Sequence, residues 1–385
     1  VLEDHMERTE IENAPFALTD VQYAYWIGRR DGQALGGVGC HAYIELDGRD
    51  VDPDRLADAW RIVLSHHAML RTVFLEDGSQ NILPEVCSDA LVVHDCTRMD
   101  GNEEVAFLAE RRKVLSCRRL EVEKGRLAGL ELCLLSGGRT RIFFDIDLLV
   151  ADVQSFCIVL RDLAAAYARG VTPAAPADWR FSDYLTKKNL RIRADREKDS
   201  LWWKSRLSEL PGAPALPLKC DPSQVEKATY RRRIFRLSSR EWNAVKEEAK
   251  VRGVTAAMVL LTAYAEVLAR WSSNSRFFIN LPLFDRETGD AGLEDVVADF
   301  TNLLLVDVDC TEEKTFFARL GDIQARFYEN VAHSSFSGVS VQRELAKIRP
   351  GDTFIAPVVF ACNLGTPLLT DECREYLGVL HDMLS

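Results

Sequence analysis

Three carboxylates and a serine share one short apolar stretch, FFDIDLLVADVQSF at residues 143–156: Asp145, Asp147, Asp152 and Ser155. Charged groups enter such surroundings when they are paired, hydrogen-bonded or used in chemistry. The pattern suggests a strand ending near Asp147 and a helix beginning near Asp152, so the acids bracket a strand-to-helix loop, where functional groups gather. Asp152 can cap the helix, with Ser155 three residues on. Asp147 has no such local role, and burial would raise its pKa unless a cation pairs with it. Taken alone, the stretch gives a buried functional acid at 147, a capping acid at 152 and strand polarity at 145.

Other chemical signatures fail on context. GVGCHA at residues 37–42 imitates a dinucleotide fingerprint but leads into a strand, where that turn must open a helix. The chain has no GxSxG elbow and no GxxxxGK[ST] loop. Ten cysteines are scattered without a CxxC, and seven histidines lack HExxH spacing. Both patterns point to reduced thiols in a cytoplasmic protein and to no metal site. His66 and His67 in SHHAML stand at a helix end, where a cation suits the macrodipole. With 48 basic against 59 acidic residues, the net charge of −11 argues against a nucleic-acid or anionic-membrane surface. The basic YRRRIF at residues 230–235 reads as a solvated strand edge. No apolar run approaches the roughly 18–20 residues of a membrane helix. The acidic N-terminus is unlike a signal peptide, and a start on Val suggests a piece of a longer polypeptide.

The elements that must hold these acids fall into two halves of similar grammar. A chain of 385 residues, 47% hydrophobic, can bury a sizeable core and is expected to form two domains. Thr19 can cap a helix through DVQYAYWIGRR, and GCHAYIELDG alternates as a strand. Asp52-Pro53 opens a helix. One hairpin turns at Asp77-Gly78 and another at Gly137-Gly138. Charged and apolar helices cover about 103–115 and 152–168. VTPAAPADW at 171–179, with three prolines, is the linker candidate, dividing residues 1–172 from 173–385. Beyond it come a charged helix to about residue 210 and helices near 239–251 and 255–271. Strands RFFINLPLF and TNLLLVDVD, two more helices and a strand APVVFACNLG complete the second half. Helices mixed with hairpin-joined strands favour an α+β architecture over a doubly wound sheet.

Asp147-x4-Asp152-x2-Ser155 resembles the DxxxxDxxS signature of the heterocyclization domains of nonribosomal peptide synthetases. These are relatives of condensation domains, which carry HHxxxDG there. PFALTDVQYAYWIGR (15–29) resembles FPLTxxQxAYxxGR, and SHHAML resembles RHxxL. LPGAPALPL (210–218) is similar to LPxxPxLPL, and VTAAMVLLTAYAEVLARW (254–271) to the long helix ending in LxxW. ADFTNLLLV (298–306) resembles DFTxLxLL, and APVVFACNLG (356–365) resembles PVVFTSxLG. The motifs keep their order over nearly the whole chain, and LGGVGCH looks most like domains of siderophore synthetases of the yersiniabactin and pyochelin kind.

The resemblance implies a V-shaped pseudodimer of two chloramphenicol-acetyltransferase-like lobes around a central tunnel. It implies phosphopantetheine arms as substrates rather than a tightly bound cofactor. The implied partners are donor and acceptor carrier proteins and an adjacent adenylation domain, with no nucleic acid and no membrane. The implied reaction joins a carrier-bound acyl or peptidyl thioester to carrier-bound Cys, Ser or Thr, then closes a thiazoline or oxazoline with loss of water. Asp147, Ser155 and Asn280 are its candidate catalytic residues; for Asp147 a structural role is an equal expectation. Asp152 is expected to pair across the lobes with Arg286 of LFDR. Two departures stand out. The family's cyclization Thr is here Ala361, followed by Cys362, a weak S–H donor, and the Asp of the family's last motif is absent from the sequence. A condensing domain that cyclizes poorly, a carrier-docking scaffold and a CoA-dependent acyltransferase are the competing readings.

Overall fold

The computed structural model describes residues 14–32, 35–87, 90–171, 180–226, 231–286, 292–351, 355–365 and 367–384. The linker candidate and the division at 172/173 fall on residues 172–179, outside the described residues.

The first half is built on five strands: β2 (His41–Arg49), β5 (Val92–Asp95), β6 (Ala128–Leu134), β7 (Arg139–Asp147) and β10 (Val379–Leu384), in the order β10-β2-β7-β6-β5. β2, β6, β7 and β10 pair antiparallel, and only β5 runs parallel to its neighbour β6. Successive side chains in a strand face opposite ways, and here the two faces carry different cargo. Ala42, Ile44 and Leu46 of β2 and Ile142, Phe144 and Ile146 of β7 enter the main core. There they meet helices α2 (Pro53–His66) and α4 (Val153–Arg169). Tyr43 and Phe143 face the other way and pack with Leu108 and Leu115 of α3 (Gly101–Leu115). The acids of β7 therefore belong to the odd-numbered face, opposite the main core. A small sheet of β1 (Phe16–Ala17), β4 (Ser79–Ile82) and β3 (Thr72–Phe74) and the helix α1 (Asp20–Gly28) complete this half.

In the second half β8 (Arg276–Phe284) and β9 (Thr301–Asp309) form an antiparallel hairpin. Phe277, Ile279 and Val306 pack under α8 (Ala256–Trp271) and α9 (Phe316–Val331). On the opposite face Phe278 and Leu305 meet Trp203 of α6 (Arg193–Arg206) and Val341 and Leu345 of α10 (Gly338–Ile348). α5 (Phe181–Arg191) and α7 (Ser239–Val251) flank these layers. The main core also takes in Phe181, Tyr184, Val297 and Phe300, so apolar packing is continuous across the two halves.

Four expectations change. The charged helix read to about residue 210 breaks at Ile192 into α5 and α6. APVVFACNLG forms no strand: it contributes one isolated parallel bridge, Val359 to Asn280. Pro357 has no N–H for a ladder, and Val359 is half exposed. Residues 231–235 of the basic stretch are exposed without strand pairing among the described residues, Arg232 reaching Asp382 at 3.1 Å, while Tyr230 lies outside the described residues. Finally, α11 (Asp371–Tyr376) and β10 return to the first half, β10 adding the edge strand beside β2. Residues 371–384 thus pack with the first sheet, although the sequence groups them with residues 173–385. Among the described residues, no single helix is long and apolar enough to cross a membrane.

Candidate active site

The face alternation of β7 explains how carboxylates sit inside an apolar run: each acid on the odd face is met by a separate arginine. Arg118 grips Asp145 with two parallel bonds, Nε at 2.6 Å and Nη2 at 2.5 Å. Gly129 stands opposite Asp145 in the sheet register. A Cβ there would lie 1.7 Å from the Arg118 guanidinium, so only glycine leaves room for the pair. Asp145, expected as strand polarity, is thus a buried ion-pair partner.

Asp147 is wholly buried and receives Arg29 at 2.6 Å, with the Leu149 N–H at 3.1 Å on its other oxygen. Arg29 is delivered by α1. That helix carries a capping box between Thr19 and Gln22, and the Gln22 amide donates to the Leu149 carbonyl at 2.7 Å. The helix start is thereby pinned to the loop after β7. Arg29 also spends a bond on the Leu120 carbonyl. Burial pushes the Asp147 carboxyl above its ordinary range, and the Arg29 charge acts against that shift.

Asp152 caps α4 through the Ser155 N–H at 2.7 Å. Its oxygens also take Arg286 bidentately, at 2.7 and 3.1 Å. Arg286 follows β8, so this pair joins the two halves. Ser155 joins them again. Its hydroxyl donates to the Ala298 carbonyl at 2.8 Å and accepts from the Ala298 N–H at 3.0 Å and from Arg286 at 2.8 Å. That set uses the hydroxyl's one donor and both acceptor lone pairs. Arg286 completes its bonding on the carbonyls of Leu293 and Val296 and lies 4.3 Å from the Phe300 ring centroid.

Sequence reasoning did not single out the next residue along, Asp299. It is fully buried, and one oxygen accepts the Thr301 N–H at 3.0 Å. The other, Oδ2, is buried with no hydrogen-bond partner among the described residues. Burial pushes this carboxyl up to about 8, with the Asp152 charge adding to the shift. Asp299 lines a cavity of about 430 Å³ walled by the start of α1, by α5 and by Ser334–Ser337. On the first-half side its charge acts on the Tyr25 phenol and the Cys40 thiol, both partly exposed. Burial pushes Cys40 up to about 12 and Tyr25 well above its ordinary range. In the sequence Asp299 shows only as the acid of ADFTNLLLV, the stretch that resembles DFTxLxLL, set between apolar residues.

Asn280 sits elsewhere. It pairs with Leu305, four residues along β8 from Phe284, which pairs with Thr301, a separation of roughly 13 Å along the strand. Its backbone bonds Val358 O and Phe360 N, both at 2.9 Å, which brings it beside the segment leading to Ala361 and Cys362. The Asn280 Oδ1 is buried and has no hydrogen-bond partner among the described residues. Ala361 is exposed, and burial holds the partly covered Cys362 thiol above its ordinary range. His66, His67 and Asp162 could bring three ligand atoms within 4.8 Å of one another, but His67 and Arg161 already occupy the two Asp162 oxygens.

Two α+β lobes of the chloramphenicol-acetyltransferase kind, tied at a seam of acids and arginines, define an acyl-transfer domain. Residues 16–365 match the condensation-domain family, and the chain belongs to that family of peptide-bond-forming domains of nonribosomal peptide synthetases. It is 38% identical over 372 residues to pyochelin synthetase PchE of Pseudomonas aeruginosa, covering 96% of this chain and 26% of that protein. It is 39% identical over 371 residues to phenyloxazoline synthase MbtB of Mycobacterium tuberculosis, covering 95% and 26%. The chain spans about a quarter of the length of these relatives. Among solved structures, the cyclization-docking bidomain of the synthetase EpoB from Sorangium cellulosum superposes with a TM-score of 0.85 at 32% identity, covering 97% of this chain and 75% of that one.

Proposed function

We propose that this chain is a heterocyclization domain. It joins a carrier-bound acyl or peptidyl thioester to carrier-bound Cys, Ser or Thr, and the side-chain nucleophile then closes on the new amide with loss of water. The seam carries this reading: the whole DxxxxDxxS signature is present and engaged, Asp152 and Ser155 holding Arg286 and Ala298 of the opposite half. The names of the relatives, a phenyloxazoline synthase and a cyclization bidomain, support ring formation as the outcome.

Condensation needs an amine and a thioester held in reach, largely a positioning effect. Ring closure and dehydration need proton transfers as well. Ser155 has no free lone pair and Asp147 is paired with Arg29, so both fit holding roles better than proton transfer. Asn280, whose side-chain oxygen has no partner among the described residues, lies beside the 358–361 segment and is the group we assign to holding substrate for the ring-forming step. The substrates arrive on the phosphopantetheine arms of donor and acceptor carrier domains, and an adenylation domain of the same synthetase selects the acceptor.

A second reading, condensation with weak cyclization, is favoured by Ala361, which offers neither a proton nor a hydrogen bond. The full-length polypeptide containing this chain, with loaded carriers, decides by intact mass of the acceptor arm. Prompt loss of water supports the heterocyclization reading; accumulation of linear acyl-Cys overturns it in favour of condensation alone. Under the second reading, Ala361→Thr raises the dehydrated fraction.

A further inference from the structure

The oxygen lost as water has a continuous history. It starts as the carbonyl oxygen of the donor thioester, becomes the amide oxygen, then the hydroxyl of the closed-ring adduct, and finally leaves. One proton donor fixed at that oxygen can therefore serve every step. Such a donor must carry a proton near neutral pH, lie at the seam between the halves, and have bonding capacity left for substrate.

Among the described residues at the seam, the arginines and two of the acids are already committed. Arg29 is bound to Asp147, and Arg286 to Asp152 and Ser155. Asp299 adjoins Ala298, the residue clamped by Ser155, and lines the 430 Å³ cavity, yet its Oδ2 has no partner. A carboxylate oxygen can find acceptor bonds from any N–H, whereas a protonated Oδ2 needs an acceptor, which a substrate carbonyl supplies. The ionisable groups acting on it or feeling its charge are Asp152 and Arg286, and Tyr25 and Cys40 from the first half, with Asp147 acting on both of the latter and Arg29 on Cys40. Across the cavity, Asp20 is paired with Arg343 and Asp285 with Lys188. Among the described residues no cation pairs with Asp299: Arg286 is shared among Asp152, Ser155 and two carbonyls, and Arg196 faces Asp20 at 3.7 Å. The Arg286 charge and the Thr301 bonds act against the shift, but burial outweighs them, and the elevation to about 8 agrees with this.

We propose that Asp299 is a catalytic carboxylic acid whose Oδ2 hydroxyl serves the donor carbonyl oxygen throughout the reaction. This rests on the condensation and cyclization reading above. In condensation the amine forms the C–N bond while the carbonyl oxygen gathers charge against Oδ2–H. Collapse breaks the C–S bond, and the amine proton leaves with the departing pantetheine thiol. In ring closure the acceptor sulfur forms the C–S bond, Asp299 protonates the oxygen, and the thiol proton restores the carboxyl. In dehydration the C–O bond breaks with a proton from Asp299 to give water. The nitrogen lone pair forms C=N, and the ring N–H proton returns to Asp299. One water is released, the carboxyl is regenerated, and no oxidant or further reactant enters.

The test uses the full-length polypeptide with loaded carriers, following linear and dehydrated products by intact mass between pH 6 and 9. Wild-type rates should fall as pH rises through about 8, where the acid form of Asp299 disappears. Asp299→Asn keeps an acceptor for the Thr301 N–H but carries no transferable proton. It should slow dehydration by roughly 10²–10⁴-fold and abolish the alkaline limb, with secondary structure by circular dichroism unchanged. A wild-type profile flat through pH 8 overturns the proposal without recourse to any variant, as does an Asp299→Asn protein that retains wild-type rates. A wild type that condenses but never loses water overturns the cyclization reading. Its condensation rate against pH still judges Asp299, since the same oxygen is charged in that step.

Discussion

The Asp152–Arg286 pair is the seam's most exposed mechanical claim, because it can be cut from either side. Both side chains are out of solvent, at 0% and 9% exposure. At 2.7 Å, with an effective dielectric constant of about 20, their gross attraction is about 6 kcal/mol. Desolvation offsets much of that, so the net worth of the pair is small compared with the cost of breaking it. Asp152→Asn leaves a buried guanidinium held only by two carbonyls, a hydroxyl and the Phe300 ring. Arg286→Met leaves a buried carboxylate with the single Ser155 N–H. Each single change should destabilise by about 3–5 kcal/mol. The double variant should cost about 2–3 kcal/mol less than the sum of the two singles. Urea unfolding of the four proteins, followed by tryptophan fluorescence, measures the cycle. Additivity within about 0.5 kcal/mol would refute the pairing as the element that closes the seam.

Three further outcomes follow from neighbouring groups. Ser155→Ala strips both Ala298 backbone groups of a partner, although the Ala298 carbonyl keeps the Asp152 N–H at 3.3 Å; it should cost about 2–3 kcal/mol in urea unfolding, and a wild-type midpoint would deny the hydroxyl its bridging role. Gly129→Ala drives the Arg118 guanidinium from Asp145, a buried acid; a loss of about 3 kcal/mol is expected, and an unchanged midpoint would show that the strand absorbs the methyl group. Asp299→Asn should alter the pH dependence of stability. The folded wild type holds a proton up to about pH 8 that the unfolded chain gives up near 3.8. The native state thus binds more protons in that window, and wild-type stability relative to the variant falls as pH rises from about 4 to about 8, then levels off. At 1.36 kcal/mol per unit the full difference is at most about 6 kcal/mol, and parallel urea midpoints at pH 5 and pH 8 would contradict a neutral Asp299.

Much of the fold was legible wherever the determinants are local. Thr19 with Gln22, and Asp52 with Pro53, announce helix starts within four residues, and both caps form. Alternation drew β2, the hairpin signal drew β7, and the glycine turn between β6 and β7 lies at Gly137-Gly138, both with positive φ. What escaped depends on distant chain. No proline or glycine marks the break at Ile192. Nothing local tells β10 to pair with β2, some 330 residues earlier, across the register Leu380↔Leu46. The segment 356–365 has a strand's composition, but β8 offers it only one bridge.

The acids show the same limit more sharply. Their positions can be read from the sequence, but a carboxylate's role is set by which cation reaches it, and 48 lysines and arginines were available. Arg29 comes from 118 residues before Asp147 and Arg118 from 27 before Asp145, so three similar acids became three separately neutralised ones. In the sequence the signature marks a place for chemistry. Its geometry makes it a clamp: Asp152 and Ser155 fix the Val296–Phe300 segment by its backbone and through Arg286. That clamp sets Asp299 in a buried position, paired with no cation among the described residues. A buried acid left unpaired costs stability, and its retention beside an open cavity is understandable if the proton it keeps is the one the reaction needs. On this view the signature serves catalysis by holding the residue next to it, and the group that moves protons is the seam acid that, among the described residues, forms no ion pair with an arginine.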